Sequence, residues 1–321
     1  MKGLEMLHKF VSLKVCTFLA VFLFSFPASA AETLDIAPDV DLMPWWGWPI
    51  VLFFFCFVLG IIAPLAGVGG GVLYVPLVSG FFPFHLDFVR GAGLLVAMAG
   101  ALAAAPGLLR RNLANLKLAL PTALIASTCS VAGAFLGLSL PVYIMQILLG
   151  LTILGVSILL LVSKNVERPQ LGKQDALGAA FGIGGTYTEE STGEHVEWWT
   201  HRTGLGFIMF VGIGFLAGMF GLGAGWANVP VLNMIMGVPL KVTTATSNFL
   251  LSMTDTSAAW VYFNKGCVIP LIAIPSIGGL MLGAKIGAHI LPRVKPRSIR
   301  YIVIAVLFFA GVRALVKGLT M

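Results

Sequence analysis

The stretch GVGGGVLYVP at residues 67–76 returns as GLGAGWANVP at residues 221–230, 154 positions later. Leu86 and Leu240, Pro121 and Pro275, Gly133 and Gly287, and Ala134 and Ala288 keep the same offset without a gap. Agreement over that reach marks an internal duplication, so the chain consists of two related halves. In each half the glycine cluster joins two apolar segments, about 49–66 with 72–84 and about 204–220 with 226–237. Several of these are short for a spanning helix, which needs about 20 residues. Short, glycine-interrupted segments at matching places in two halves predict a broken or re-entrant helical hairpin in each.

Longer apolar segments follow each hairpin, at about 88–109, 118–140 and 142–162, then 242–263, 268–291 and 299–316. The composition agrees: 58% of the 321 residues are hydrophobic and 10% charged, and mean hydropathy is +0.98, against roughly 25% charged residues in soluble domains. The fold class expected is an all-α polytopic membrane protein, a helical bundle of two inverted repeats. An outer-membrane barrel would show alternating segments of about 10 residues instead. The net charge of +7, from 20 Lys and Arg against 13 Asp and Glu, reflects loops on one side of a membrane, and no nucleic-acid partner is expected.

The basic residues fix the parity. Arg110, Arg111 and Lys117 lie between two long segments; Lys164, Arg168, Lys173 and Arg202 lie in a central loop; Arg293, Lys295, Arg297 and Arg300 lie in a third. All three loops belong on the cytoplasmic side by the positive-inside rule. A chain starting outside at Trp48 brings Arg110 inside only if residues 49–84 return to the side they left, and the second half then runs with opposite orientation. Trp45, Trp46, Trp48, Trp198 and Trp199 precede apolar segments as an interfacial aromatic belt would.

Before the bundle, Lys2, Lys9 and Lys14 precede an apolar run from Val15 to Phe26 and then Ala28, Ser29 and Ala30, the pattern of a secretory signal peptide. An uncleaved first helix is the rival reading of residues 1–30. The expected order is then a short periplasmic segment at 31–48, a first transmembrane repeat at 49–163, a cytoplasmic loop at 164–203 and a second repeat at 204–321. Within the loop, Thr186 to Glu197, with Glu189, Glu190 and Glu194, reads as a small exposed hairpin or an unstructured acidic loop. The scattered Cys56, Cys129 and Cys267 offer no disulfide framework or redox pair, and the five histidines form no metal-ligand cluster. No cofactor is implied, and without a nucleophile and base or a metal set a membrane enzyme is disfavoured.

The glycine clusters are the main chemical signal. A helix beginning just after each would present unpaired N–H groups and a positive dipole end, which suits an anion, and glycine lets the backbone approach a ligand closely. Gly67, Gly69, Gly70, Gly71, Gly221, Gly223 and Gly225 are therefore candidate binding positions; tight packing or a sharp turn is the alternative use of the same residues. Asn228 and the run Thr246, Ser247 and Asn248 are neutral donors suited to an oxyanion. Arg90 either draws anions from outside or pairs with Asp87 at i,i+3. Asp255, near the middle of its segment, is a coupling candidate that would carry a proton, or else bonds hydroxyls such as Thr254 and Thr256; a direct pair with Lys285 is disfavoured by depth. Gly279, Gly283 and Gly287, four residues apart, suggest a close helix contact.

With PLKVTTATSNF at 239–249 and Tyr262 and Gly266 beyond it, the two glycine and Val-Pro motifs resemble the sulfite exporter TauE/SafE family of membrane permeases over about residues 49–316. The resemblance implies a membrane protein of two related halves that moves sulfur-containing anions such as sulfite or organosulfonates, commonly as an exporter. It places the family's glycine motif on Gly67, Gly69, Gly71, Gly221, Gly223 and Gly225, and its second-half Ala-Thr-Ser stretch on Ala245, Thr246 and Ser247. The first half departs, with Gly91, Ala92 and Gly93 where a Gly-Thr-Ser is usual, which makes the site asymmetric. The expectation is an inner-membrane (plasma-membrane) secondary transporter of a small anion, working by alternating access in the lipid bilayer, with protons as a candidate coupling ion. A permease for another solute, such as an organic acid or a cation, and a membrane assembly factor without transport activity are the alternatives. Oligomeric state is left open.

Overall fold

A computed structural model describes residues 46–66, 69–109, 114–163, 174–188, 195–290 and 296–320. Residues 1–30, Trp45, Gly67, and Glu189, Glu190 and Glu194 lie outside these described residues.

The chain is helical nearly throughout. The first half comprises α1 (Gly47–Ala66), α2 (Gly70–Phe81), α3 (Leu86–Leu109), α4 (Leu116–Ser139) and α5 (Val142–Val162). The connection holds a short helix α6 (Ala176–Ala180) and an antiparallel hairpin, β1 (Gly184–Thr188) with β2 (His195–Trp199). The second half comprises α7 (Thr203–Phe220), α8 (Gly225–Pro230) with a π-helical turn Val231–Ile235, α9 (Leu240–Asn264), α10 (Pro270–Ile290) and α11 (Pro296–Thr320). The starts of α3 and α9, of α4 and α10, and of α5 and α11 each differ by the 154 positions that separate the glycine motifs.

Local sequence explains the breaks. Gly221 adopts φ +69° and ends α7, and Gly223 follows at φ +71°, a conformation that costs a side chain but not glycine. Pro230 has no N–H to donate, and the helix widens into the π turn directly after it. Asn115 starts α4 by accepting the Leu118 N–H at 2.9 Å.

Packing between the halves is reciprocal. α1 lies along α10, and α7, its repeat copy, lies along α4, the copy of α10. Both contacts are backbone-close. A Cβ on Gly279 or Gly283 would overlap the carbonyl oxygens of Phe53 or Phe57, and one on Gly287 would lie 2.7 Å from Ile61 O. On the other side, Cβ atoms on Gly133, Gly214 and Gly218 would overlap the carbonyls of Phe215, Ala126 and Ser130. The Gly279, Gly283 and Gly287 stripe is thus a helix contact, as its spacing suggests.

The two halves are oppositely oriented. Along α3, Leu94 packs with Ala258, Val261 and Tyr262 of α9, whereas Ala101 packs with Leu251. Along α5, a Cβ on Gly150 would meet Gly311 and Leu315 of α11, while Gly318 sits against Tyr143 and Ile147. In both pairs a helix meets its own repeat copy running antiparallel, which is an inverted repeat.

Among the described residues six helices (α3, α4, α5, α7, α10 and α11) are long and apolar enough to cross a membrane. α9 has 25 residues but is rich in Thr, Ser, Asn and Asp. Polarity is reversed relative to a soluble domain: Thr122, Ser130, Gln146, Thr246 and Asp255 are buried, while Phe54, Leu124, Ile208, Trp260 and Ile274 are exposed. That is the arrangement expected when lipid surrounds the bundle, and the protein is a multi-pass membrane protein.

Of the two readings of Thr186 to Glu197, the hairpin is present in the described residues: Gly184–Thr188 pairs with His195–Trp199, and the Asn115 side chain donates to Gly184 O. Asp175 caps α6 and also accepts from the Thr203 N–H at 2.9 Å and the Thr203 hydroxyl at 2.7 Å. Trp198, on β2, is buried at 3% exposure in the main hydrophobic core and so belongs to no aromatic belt. Trp48, by contrast, stacks edge-on against Phe82 and Phe84 at the other end of the bundle.

Candidate functional site

The glycine segments cross at the centre of the bundle. After α7 ends, the backbone runs from Gly221 to Gly225 along α3. Gly221 seats on the Arg90 backbone; a Cβ on Gly223 would lie 2.9 Å from Ala97 Cβ and 3.0 Å from Asp255 Oδ2; one on Gly225 would lie 2.8 Å from Leu251 Cδ1 and 3.5 Å from Gly69 Cα. The first-half segment meets it there: a Cβ on Gly71 would lie 2.6 Å from Leu222 O and 2.8 Å from Ala97 Cβ. Gly70 is wedged against Leu280 of α10, 2.8 Å from a Cβ placed on it. Most of these positions admit no side chain because another backbone or a tightly packed neighbour occupies its place. Gly69 differs. A Cβ there would be 3.8 Å from Gly225 Cα, ordinary contact, with φ at −64°.

So the two hairpins meet at Gly69 and Gly225, and α2 and α8 both begin at that meeting point. The hairpins are broken rather than shallow. α1 and α7, with 20 and 18 residues, run alongside α10 and α4, and in the second half the left-handed turns at Gly221 and Gly223 then carry the chain back to mid-bundle.

Among the described residues, most buried polar side-chain atoms without a hydrogen-bond partner are in the second half, Arg90 Nε and Gln146 Nε2 being the first-half cases. Asn228 is 1% exposed, and neither its amide nitrogen nor its oxygen has a hydrogen-bond partner among the described residues. The same holds for the Trp226 indole N–H, the Thr254 hydroxyl and both Asp255 oxygens. Buried polar atoms left unpaired cost free energy, about 1–3 kcal/mol each, so their retention calls for a ligand or an exchangeable proton. Asp255 is fully buried and does not bond Thr256, whose hydroxyl donates to Ser252 O at 2.6 Å; Lys285 is exposed. In the first half the equivalent of Asn228 is Tyr74, hydrogen-bonded to Ser276 at 3.3 Å, and the equivalent of Asp255 is Ala101. The asymmetry legible in Gly91, Ala92 and Gly93 therefore extends through the core.

The Thr246, Ser247 and Asn248 run does not converge on one point. Thr246 is buried and accepts the Asn115 N–H at 3.2 Å near the hairpin end of the bundle, where the Asn115 side chain also donates to Gly184 O. Ser247 is buried, and Asn248 is bonded to the Thr244 carbonyl at 3.0 Å. Successive helical residues point about 100° apart, and Thr246 lies five positions before Leu251, about 7.5 Å along the axis. Thr246 borders the approach from the hairpin end.

Arg90 lies at the opposite end and is already occupied. It is 1% exposed and donates to Gly137 O at 3.1 Å and Met219 O at 2.9 Å, with Asp87 as its carboxylate partner. Its guanidinium stands 5.7 Å from the ring centre of Tyr262, whose hydroxyl donates to Gly218 O at 3.1 Å and Met219 O at 3.2 Å. Of the two uses open to Arg90 from sequence, the pair with Asp87 is present, extended to two helix C-termini.

Sequence reasoning missed Trp226, Thr254 and Asn115. Trp226 carried a signal, since its repeat equivalent is Val72 and an indole inside a glycine motif is an unusual substitution for an aliphatic residue. Among the described residues no group of three or more His, Cys, Asp or Glu could hold a metal ion.

The chain matches the protein-family model described as "Sulfite exporter TauE/SafE" over residues 52–314. It is 24% identical over 277 residues to the "Probable membrane transporter protein YunE" of Bacillus subtilis (strain 168), covering 84% of this chain and 98% of that protein. It is 23% identical over 271 residues to the "Probable membrane transporter protein MJ0441" of Methanocaldococcus jannaschii, covering 79% and 91%. No solved structure matches.

Proposed function

The chain belongs to the sulfite exporter TauE/SafE family, and from that membership we propose that it is a secondary transporter of small sulfur-containing anions, sulfite or an organosulfonate, across the plasma membrane. The observation that carries this is the crossing of the two hairpins: two helices begin beside Gly69 and Gly225, and next to that crossing the buried Trp226 and Asn228 donors stand unpaired. N–H groups at a helix start and neutral side-chain donors replace an oxyanion's water without adding a compensating charge. The membrane-spanning halves take the basic loops and the β1–β2 hairpin as their cytoplasmic side, by the positive-inside rule.

The mechanism is alternating access. The anion enters between the halves, exchanges water for backbone and side-chain N–H groups, and one half rocks on the other about the glycine crossing. Asp255, whose Oδ2 lies 3.0 Å from the Cβ position of Gly223, supplies a carboxyl group beside the crossing that can take up and release a proton in step with the anion. Export is the direction the family name suggests. The same buried carboxylate favours one second reading, a cation or organic-acid permease in which Asp255 is the principal ligand.

Binding separates these. Trp226→Phe and Asn228→Leu should each weaken sulfite binding to the purified protein about tenfold or more, the scale of one hydrogen bond to a charged group. Isothermal titration with sulfite, with sulfate as competitor, measures it. Unchanged affinity in both variants would move the substrate away from the crossing.

A further inference from the structure

We propose that Arg90 is a positioning residue that latches the Trp48 end of the bundle shut: its guanidinium ties the last turns of α4 and α7 together across the interface between the two halves. The proposal rests on the alternating-access reading but not on the identity of the substrate.

Arg90 and Gly137 belong to the first half, Met219 and Tyr262 to the second. Carbonyls in the last turn of a helix lack intrahelical partners and carry the negative end of the dipole, so a cation placed between two such ends binds both. Arg90 does this for α4 through Gly137 O and for α7 through Met219 O, while Asp87 balances its charge. Tyr262 reinforces the α7 end through the Gly218 and Met219 carbonyls, and its ring faces the guanidinium.

The backbone around Arg90 closes the same seam. Gly93 sits where a Cβ would be 2.7 Å from Gly221 O, and Gly91 where one would be 2.5 Å from Cys267 O; both partners are in the second half. This gives the departure at Gly91, Ala92 and Gly93 a physical reason: larger residues could not seat α3 against Gly221 and Cys267. At the hairpin end the counterparts of Arg90, Gly91 and Gly93, 154 residues on, are Thr244, Ala245 and Ser247. Thr244 is exposed and bonded to its own Leu240 carbonyl. Among the described residues the seam there is spanned by the hydrogen bond from the Asn115 N–H to Thr246 and by that from the Ser163 hydroxyl to Met234 Sδ. One end of the transport path is therefore bolted by a buried cation across four helices, whereas these two bonds at the other end are neutral.

The test reads access, not transport. In full-length protein with Cys16, Cys56, Cys129 and Cys267 replaced by Ala, Ala101→Cys puts a thiol in the central cluster beside Ala97 and Leu251. Reconstituted vesicles of known sidedness are then exposed to a membrane-impermeant maleimide from the Trp48 face. With Arg90 intact, labelling from that face should be slow. Arg90→Gln should accelerate it at least tenfold, Arg90→Lys should fall between, and Tyr262→Phe should shift it the same way by less. Wild-type labelling rates in Arg90→Gln protein of normal elution and unfolding temperature would overturn the latch. So would weaker sulfite binding with no gain in labelling, which would make Arg90 a ligand. Should Arg90→Gln fail to fold, an unchanged rate in Tyr262→Phe overturns it equally. No substrate enters the labelling, so its outcome is distinguishable from failure of the sulfur-anion reading.

Discussion

Gly69→Ala should leave the protein folded and slow anion transport at least about tenfold, equivalent to about 1.4 kcal/mol at the site. The reason is geometric. At Gly71, Gly223 and Gly225 an added Cβ would lie within 3 Å of neighbouring atoms, so loss of activity there could be loss of fold. At Gly69 the new methyl would be 3.8 Å from Gly225 Cα and 4.0 Å from Leu251 Cδ1, in a backbone conformation any residue adopts. It occupies the gap between the two hairpin tips without pushing on either. Unfolding temperature and elution should match wild type while the transport rate falls. If transport survives Gly69→Ala and also Gly69→Leu in folded protein, the hairpin crossing does not hold the substrate.

Asp255→Asn should uncouple the protein without destabilising it. An uncompensated charge within a membrane helix is expensive, and Asp255 has no hydrogen-bond partner among the described residues to offset that expense. Asparagine keeps the shape, cannot ionise and cannot carry a proton. Thermal unfolding should be unchanged or raised, by up to about 1–2 kcal/mol. A proton gradient should no longer accelerate anion flux, whereas exchange of anion for anion should persist. A large loss of stability would instead reveal a partner that needs the carboxylate. Gradient-driven flux at the wild-type rate would place proton coupling elsewhere.

The architecture was legible because lipid and repetition both write it plainly. Ten apolar segments read from sequence match ten helical elements closely, since in a bilayer every helix must hide its own backbone and apolar length translates into helix length. The offset of 154 and the basic loops supplied the inversion, which the antiparallel contacts of Leu94 with Tyr262 and Gly150 with Leu315 bear out. The hairpins were expected as pairs too short to span singly. Instead α1 and α7 have 20 and 18 residues and only the returning legs are short, a distinction that in the second half depends on left-handed turns at Gly221 and Gly223 with no hydrophobic period to read.

The site was less legible. That glycines would gather was readable; that Gly71 serves Leu222 O and Gly225 serves Leu251 and Gly69 depends on contacts 150 residues apart. Thr246, Ser247 and Asn248 looked like one donor cluster because they are consecutive, but helical rotation points them in different directions, and Thr246 is already taken by Asn115. Arg90 was undecided between ligand and ion pair, because its neighbours Gly137, Met219 and Tyr262 are remote in sequence. Trp198 reads as a belt residue in the sequence, but its side chain is buried in the main hydrophobic core.

Sulfite flux into proteoliposomes of the purified protein, with and without a proton gradient and with sulfate or a short alkyl sulfonate as competitor, tests the central claim most directly. Saturable flux that the sulfonate blocks and the gradient steepens is the predicted result. Flux no greater than in empty liposomes, indifferent to both competitors, would contradict a sulfur-anion transporter.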